Sequence, residues 1–300
     1  MRIKMIDIHT HTTYSDGTLT PGELLEEAHQ KKLTIISITD HNTIGAYEEL
    51  KNPNIREKFE GMIIPGIEIT TTYHGETIEV LGYNFNLDMM SELLKESVLT
   101  FEEKQIQEYN LIKKQYQKIG VIFDEENIEF NPEKESCRVS FWKEIKSHPE
   151  NNCLFLEEKS KEETSSFTRN EIYNPKSPLY VDESSLFPSL EKAIAMIHES
   201  GGLAFLAHTF AYSPNIAKSL LDILNNYKLD GLECFYTTFT EEQSNYLVSL
   251  CKEKGLYMSG GSDFHGTRKI NHNLGTGRGN LQIEEKTIEP WVKQYTKHKK

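Results

Sequence analysis

Residues 5–17, MIDIHTHTTYSDG, decide how this chain is read. The apolar run at 5–8 has the look of a short buried strand, and it ends abruptly in His9-Thr10-His11. Alternation along an extended chain places Asp7, His9 and His11 on one face. Two imidazoles on one face, two residues apart, can chelate a single cation, and Asp16 follows in Tyr-Ser-Asp-Gly. Immediately afterwards Thr20-Pro21-Gly22-Glu23 forms a capping box with proline at the first helical position, predicting a helix over 21–32.

Working outward, the same pattern recurs: an apolar strand that finishes on a polar, metal-competent residue. LTIISITD (33–40) leads into Asp40-His41, and MIIPGIEIT (62–70) carries Glu68. TIEVLGYNF (77–85) carries Glu79, GLAFLAH (202–208) ends in His208, and YMSGGSDFH (257–265) ends in Asp263-Phe264-His265. LDGLECFY (229–236) completes a set of seven strands. Strands apolar almost throughout belong to a parallel sheet covered by helices. Helical spacing fills 189–200, 216–227 and 241–254, the last opened by a capping box, Thr240 to Gln243, and closed by Gly255. Strand–helix alternation of this kind is an α/β fold, either a barrel or an open doubly wound sheet. Both gather their functional residues at the C-terminal ends of the strands.

The alternation breaks once. Residues 90–119 read as one long charged helix or a broken pair, and EEKSKEETSSFTRNE (157–171) is nearly devoid of apolar residues, as a mobile loop would be. The expected organisation is therefore a discontinuous α/β domain, 1–87 and 187–300, carrying a mainly helical inserted lobe over 88–186.

Composition narrows the function. The net charge of −13 argues against a broad glove for long nucleic acid, while leaving room for a local cationic pocket. Four cysteines without a CxxC pair suggest reduced thiols in a cytoplasmic protein rather than a zinc ribbon. No apolar run approaches ~18 residues, so no membrane span is expected, and the N-terminal stretch lacks a signal-peptide pattern. A lone histidine in a strand is ordinary core material. Here five of the eleven histidines sit at strand ends together with Asp and Glu, which is not. Imidazole and carboxylate without thiolate suits Mn²⁺, Fe²⁺ or Zn²⁺ at a catalytic site, and the residues are too many for one ion.

IDIHTHTTYSDGTLTP, SITDHNTIGAYEE, IPGIEITT, VLGYN, GGLAFLAH, DGLECFY and GGSDFHG, taken in that order, resemble the PHP (polymerase and histidinol phosphatase) family, and within it the bacterial stand-alone phosphoesterases acting on nucleotides. The likeness covers about 1–87 and 187–283. It implies a distorted seven-stranded (βα) barrel with two or three divalent ions. By position, His9, His11, Glu68 and Asp263 look like ligands of a first ion. Glu68, with Glu79 and His208, would serve a second, and Asp16, His41 and His265 a third. Asp7 would stand behind, orienting a ligand histidine, and Asp7, His41, His208 and Asp263 would carry the catalytic roles. The chain departs from the family where Glu79-Val-Leu-Gly replaces the usual His-Ile-Leu-Gly, and where Thr209 follows His208 in place of proline.

The implied reaction is hydrolysis of a phosphate monoester on a small nucleotide, a nucleoside 3′,5′-bisphosphate or AMP-like compound, by attack of a metal-activated hydroxide. A guanidinium suits the phosphate, and the resemblance points to Arg138 in the insert, with Arg268 and Arg278 in reserve. Trimming of short RNA or DNA from the 5′ end, histidinol phosphatase activity and a silent metal-binding module are the competing readings. The expected partner is a small phosphorylated nucleotide or short oligonucleotide, with neither a membrane nor long nucleic acid involved.

Overall fold

A computed structural model of the protein describes residues 4–133 and 135–292. All seven expected strands are present: β1 (Ile6–Asp7), β2 (Ile35–Ile38), β3 (Met62–Tyr73), β4 (Glu76–Tyr83), β5 (Leu203–Leu206), β6 (Gly231–Tyr236) and β7 (Tyr257–Gly261). They form one sheet in sequence order. β1 pairs in parallel with β2, β2 with β3, β5 with β6 and β6 with β7. Beyond β1 and β7 the chain bridges in parallel at Thr10 and Phe264. There the His11 N–H donates to Phe264 O at 2.8 Å and the Asp263 N–H to His9 O at 2.9 Å. The sheet thus curls until its two edge segments meet, as a nearly closed barrel.

One expectation about the sheet is corrected. β4 runs antiparallel to β5, with Val80 opposite Leu206. The cause lies in the chain before it. β3 continues to Tyr73, which leaves only His74 and Gly75 to reach β4. Their φ angles of 49° and 81° are the paired positive values of a two-residue hairpin turn. Parallel strands need a crossover of a dozen residues, so so short a link reverses the chain. Reversal brings the first half of β4, with Glu79, to the end of the barrel where the other strands finish.

The barrel interior is divided by chemistry. One apolar cluster takes Ile6, Ile35, Ile64, Leu81, Tyr83 and Phe205 from five strands, with Phe235 and Tyr257 packed against it from the other two. The segment 281–292 seals this end. Ile283 O accepts from the Ile6 N–H at 3.0 Å, and Trp291 stacks on Tyr83 with ring centroids 5.5 Å apart. The opposite end is polar. The helix Pro21–Gln30 starts at the expected capping box and buries Leu24, Leu25 and Ala28. Glu241–Lys254 also has its box, and it ends at Gly255 with φ 70°.

The chain divides into two compact units, one of residues up to Tyr73, Thr77–Ser97 and Pro188 onward, the other of His74–Glu76 and Val98–Phe187. The helix Leu87–Ser97 belongs to the barrel unit, although the lobe was expected to begin at 88. The 90–119 stretch is a broken pair, because Thr100 opens a new capping box for Phe101–Ile119. The second unit is helical around Ile112, Tyr116, Phe141, Ile145, Phe167 and Ile172. Residues 157–171 do not form the expected loop. Short helical turns at Lys159–Glu162, Thr164–Phe167 and Thr168–Ile172 bury Phe167 and Ile172. Buried Glu171 accepts from the Leu156 and Glu157 N–H groups, so two apolar anchors and one carboxylate suffice to order a polar stretch. Among the described residues no helix is long and apolar enough to cross a membrane.

Candidate metal centre

Nine side chains converge at the polar end of the barrel: His9, His11, Asp16, His41, Glu68, Glu79, His208, Asp263 and His265. They fall into four overlapping groups, each with its ligand atoms within 4.8 Å of one another: His9/His11/Asp263, His9/Glu68/His208, His41/Glu68/Glu79 and His11/Asp16/His41/His265. Glu68 is the hub. Its Oε2 lies 3.3 Å from His9 Nε2, 3.2 Å from His11 Nε2 and 3.3 Å from His41 Nδ1. Its Oε1 lies 3.0 Å from His208 Nε2. Glu79 reaches His41 Nδ1 at 3.6 Å and His208 Nε2 at 3.3 Å. Asp16 Oδ1 lies 3.0 Å from His265 Nε2. The grouping differs from expectation in that His41 stands between the Asp16 side and the Glu68/Glu79 side.

The donor atoms are the best evidence that this is a cation site. His9 Nε2, His11 Nε2, Asp16 Oδ1, His41 Nδ1, Glu68 Oε2 and His265 Nε2 are all buried without a hydrogen-bond partner, and all face the shared centre. Buried polar atoms are nearly always satisfied, so six orphans aimed at one space mark the place of missing partners. The donor set, imidazole nitrogen and carboxylate oxygen, fits two or three divalent ions.

Electrostatics agree. Burial alone would lower the imidazoles, but Asp263 and Glu68 raise His11 to about 9, and Glu233 and Glu68 hold His9 well above its usual range. Burial would raise Glu68, yet His9 and His41 pull it well below the carboxylate range. Glu79 is pushed up by burial and by the charge of Glu68. Protons on histidine thus balance the carboxylates, and cations binding here displace them.

Several residues hold these ligands in place. Glu233 was not singled out from the sequence. Its Oε1 accepts from His9 Nδ1 at 2.8 Å and its Oε2 from the His208 N–H at 2.8 Å. That places the His9 proton on Nδ1 and turns the Nε2 lone pair inward. The available signal was a lone carboxylate inside the apolar run of β6. Asp7, expected to orient a ligand histidine, accepts from the His9 N–H at 3.4 Å and more closely from Ser262 N–H at 2.9 Å, Ser262 Oγ at 2.6 Å and Gly275 N–H at 2.7 Å. These bonds tie the two-residue β1 to the chain after β7. Asp40 pins the loop between His11 and Asp16 through Thr12 and Ser15. Tyr236 donates to Asp263 Oδ2 at 2.7 Å, and Lys269 Nζ lies 2.6 Å from the same oxygen; neither was expected.

The three arginines fare differently. Arg268 Nη1 donates to Asp16 O at 3.1 Å, at the mouth. Arg278 is exposed, its backbone N–H donating to Asn280 Oδ1 at 3.1 Å. Arg138 stands in the second unit, paired through Nη2 with Glu183 at 3.0 Å and through Nε with Glu108, beneath Tyr173. Both of its carboxylate partners are buried, so its charge is already answered there.

Comparison with known proteins places this geometry. The family model for the PHP domain matches residues 7–150. A 5′-3′ exoribonuclease of Escherichia coli is 27% identical over 86% of this chain and 84% of its own length. A 3′,5′-nucleoside bisphosphate phosphatase of Chromobacterium violaceum is 24% identical over 89% of this chain and 90% of its own. A solved structure from Chromobacterium violaceum, described as an amidohydrolase with bound sulfate and no metal, superposes with a TM-score of 0.64 at 21% identity, covering 97% of this chain and 96% of that one. With the strand-end residues, the barrel and these likenesses in agreement, residues 7–150 match the PHP domain family and the chain as a whole shares the fold of the solved structure.

Proposed function

We propose that this protein is a metal-dependent phosphoesterase that removes a phosphate monoester from a small nucleotide, a nucleoside 3′,5′-bisphosphate or AMP-like compound. The observation that carries the reading is the set of six buried, unpartnered donor atoms facing one centre. Divalent ions held there, Mn²⁺, Fe²⁺ or Zn²⁺, would supply a water acidified toward neutrality and positive charge opposite the phosphoryl oxygens. The chain's own residues do the rest. Glu68 presents both oxygens to the centre, and His9, His11, His41 and His208 surround it. Glu233 fixes the His9 tautomer, so that ring meets a cation through Nε2. Asp263 Oδ1 and Asp16 Oδ1 both stand beside His11 and His265, and the β3–β4 hairpin brings Glu79 to the place where the resemblance leads to an expected histidine. His265, His41 and His11 flank the partly exposed Asp16, with ring nitrogens 3.0, 3.8 and 3.8 Å from its Oδ1.

A second reading, removal of nucleotides from the 5′ end of short RNA, is favoured by relatives of 27–28% identity named as 5′-3′ exoribonucleases. Purified protein assayed with Mn²⁺ or with chelator against AMP, a 3′,5′-bisphosphate, histidinol phosphate and 5′-phosphorylated short RNA separates the two. Metal-dependent release of inorganic phosphate from the bisphosphate supports the first, and stepwise release of mononucleotides the second. Inertness toward the whole panel with metal bound refutes both.

A further inference from the structure

The mouth of the barrel holds one cation that neither the sequence motifs nor the family likeness singled out. Lys269 lies in the loop after β7 with Nζ 2.6 Å from Asp263 Oδ2; its side chain is 37% exposed, the Asp263 side chain 3%. The ammonium therefore reaches a buried carboxylate from the solvent side. Asp263 splits its two oxygens between two tasks. Oδ1 faces the ligand imidazoles, 3.6 Å from His9 Nε2 and 3.3 Å from His11 Nε2. Oδ2 faces away and accepts from Tyr236 Oη at 2.7 Å as well as from Lys269. The ammonium thus stands one carboxylate width from the oxygen that meets the centre. Its neighbour Arg268 is directed elsewhere, onto the Asp16 carbonyl.

We propose that Lys269 is a phosphate-binding residue of this site, its ammonium leaving Asp263 for a non-bridging oxygen of the substrate's phosphoryl group. The proposal rests on the phosphoesterase reading above. A cation on Oδ1 neutralises much of the carboxylate charge, and the attraction of Oδ2 for the ammonium falls with it. Tyr236 still donates to Oδ2, so the move strands no buried acceptor. A phosphoryl oxygen entering the centre is then the more strongly charged partner. Lysine suits it, as a point charge on a flexible stem with three donors. In a chain of net charge −13, a cation at the mouth also offsets the repulsion that an incoming dianion meets.

The test is calorimetric titration of inorganic phosphate into Mn²⁺-loaded wild type, Lys269→Ala and Lys269→Arg, with Mn²⁺ titrated separately into each metal-free protein. The expected result is phosphate affinity about tenfold or more weaker in Lys269→Ala, partly restored in Lys269→Arg, with Mn²⁺ affinity in all three within about threefold. Unchanged phosphate affinity in Lys269→Ala overturns the proposal while leaving the phosphoesterase reading intact. Mn²⁺ affinity falling in step with phosphate affinity also overturns it, because Lys269 would then only hold Asp263 in place. Mn²⁺-loaded wild type that neither binds phosphate nor hydrolyses a phosphomonoester refutes the phosphoesterase reading, and the proposal falls with it.

Discussion

Glu233→Gln isolates the residue that orients the centre without touching it. In the wild type both Glu233 oxygens accept, one from His9 Nδ1 and one from the His208 N–H, each at 2.8 Å. Glutamine has nearly the same shape but only one accepting oxygen, and its other terminus carries two donors. Whichever way the amide turns, one donor faces another donor in a fully buried place. A buried donor left without a partner costs about 1–3 kcal/mol. If the amide nitrogen faces His9, that ring loses its anchor and must take the other tautomer or rotate, which spoils the inward lone pair. Loss of such an outer partner typically weakens metal binding ~10–100-fold, about 1.4–2.7 kcal/mol.

Stability and affinity should therefore fall by comparable amounts, and both are measurable on one sample. Urea unfolding of metal-free protein reads the first, and Mn²⁺ titration reads the second. One compensation has a definite sign. Glu233 is a cause of the raised His9 pKa, so its neutral replacement lets His9 lose its proton at lower pH. The deficit in Mn²⁺ affinity should accordingly be smaller at pH 6 than at pH 8. Glu233→Gln with wild-type unfolding and Mn²⁺ affinity within twofold at both pH values refutes the orienting role.

Much of this candidate site was legible because most of the residues that could hold a cation sit at or just beyond strand ends. His9 and His11 needed only the two-residue period of an extended chain, whereas Asp263, with φ 54°, and His265 follow the end of β7 and were legible from their residue types in the Ser-Asp-Phe-His run. Seven apolar runs with helices between pointed to an α/β fold, a barrel or an open sheet, and the family resemblance chose the barrel. What escaped depends on interactions that no local pattern records. The reversal of β4 is the exception: even the expected strands, 62–70 and 77–85, leave six residues between them, too few for a parallel crossover, and the structure shortens that link to two. Glu233 is separated from His9 by 224 residues, and only closure of the sheet brings them together. Lys269 follows β7 in a loop whose path has no periodicity to read. Asp7 was read as orienting a ligand histidine, and beside the His9 N–H it has partners, Ser262 and Gly275, that come from the other edge of the sheet. Arg138 stood out because a phosphate needs a cation, while the carboxylates that claim it, Glu108 and Glu183, lie on segments distant in sequence.

The other tests address pH, packing, the arginine of the second unit and Glu79. Metal-free protein should lose stability as pH rises. His11 is raised from 6.5 to about 9, so its contribution is full below pH 6.5 and fades through about 9. That is at most about 3 kcal/mol, and urea midpoints across pH 6–9.5 check it. Trp291→Ala should cost about 3–5 kcal/mol by opening the apolar end of the barrel, without changing Mn²⁺ stoichiometry of the folded protein. Arg138→Ala should leave Glu108 and Glu183 uncompensated and cost about 3–5 kcal/mol; lost stability with kcat/KM within twofold would assign Arg138 to that ion cluster alone. Glu79→Gln makes the sharpest contrast, because its two effects have opposite signs. Burial and the charge of Glu68 both disfavour the Glu79 carboxylate in the absence of cations. Removing its charge while keeping its shape should hold or raise the thermal midpoint of the metal-free protein. The same change replaces one of its two oxygens, which face His41 and His208, with an amide nitrogen and removes the charge, so Mn²⁺ affinity should fall at least about tenfold. Glu79→His should recover binding while shifting preference away from Mn²⁺ toward Zn²⁺, since imidazole is the softer donor. A glutamate that merely lined the barrel would leave stability, affinity and preference unchanged in both variants, and that result would end its assignment as a ligand.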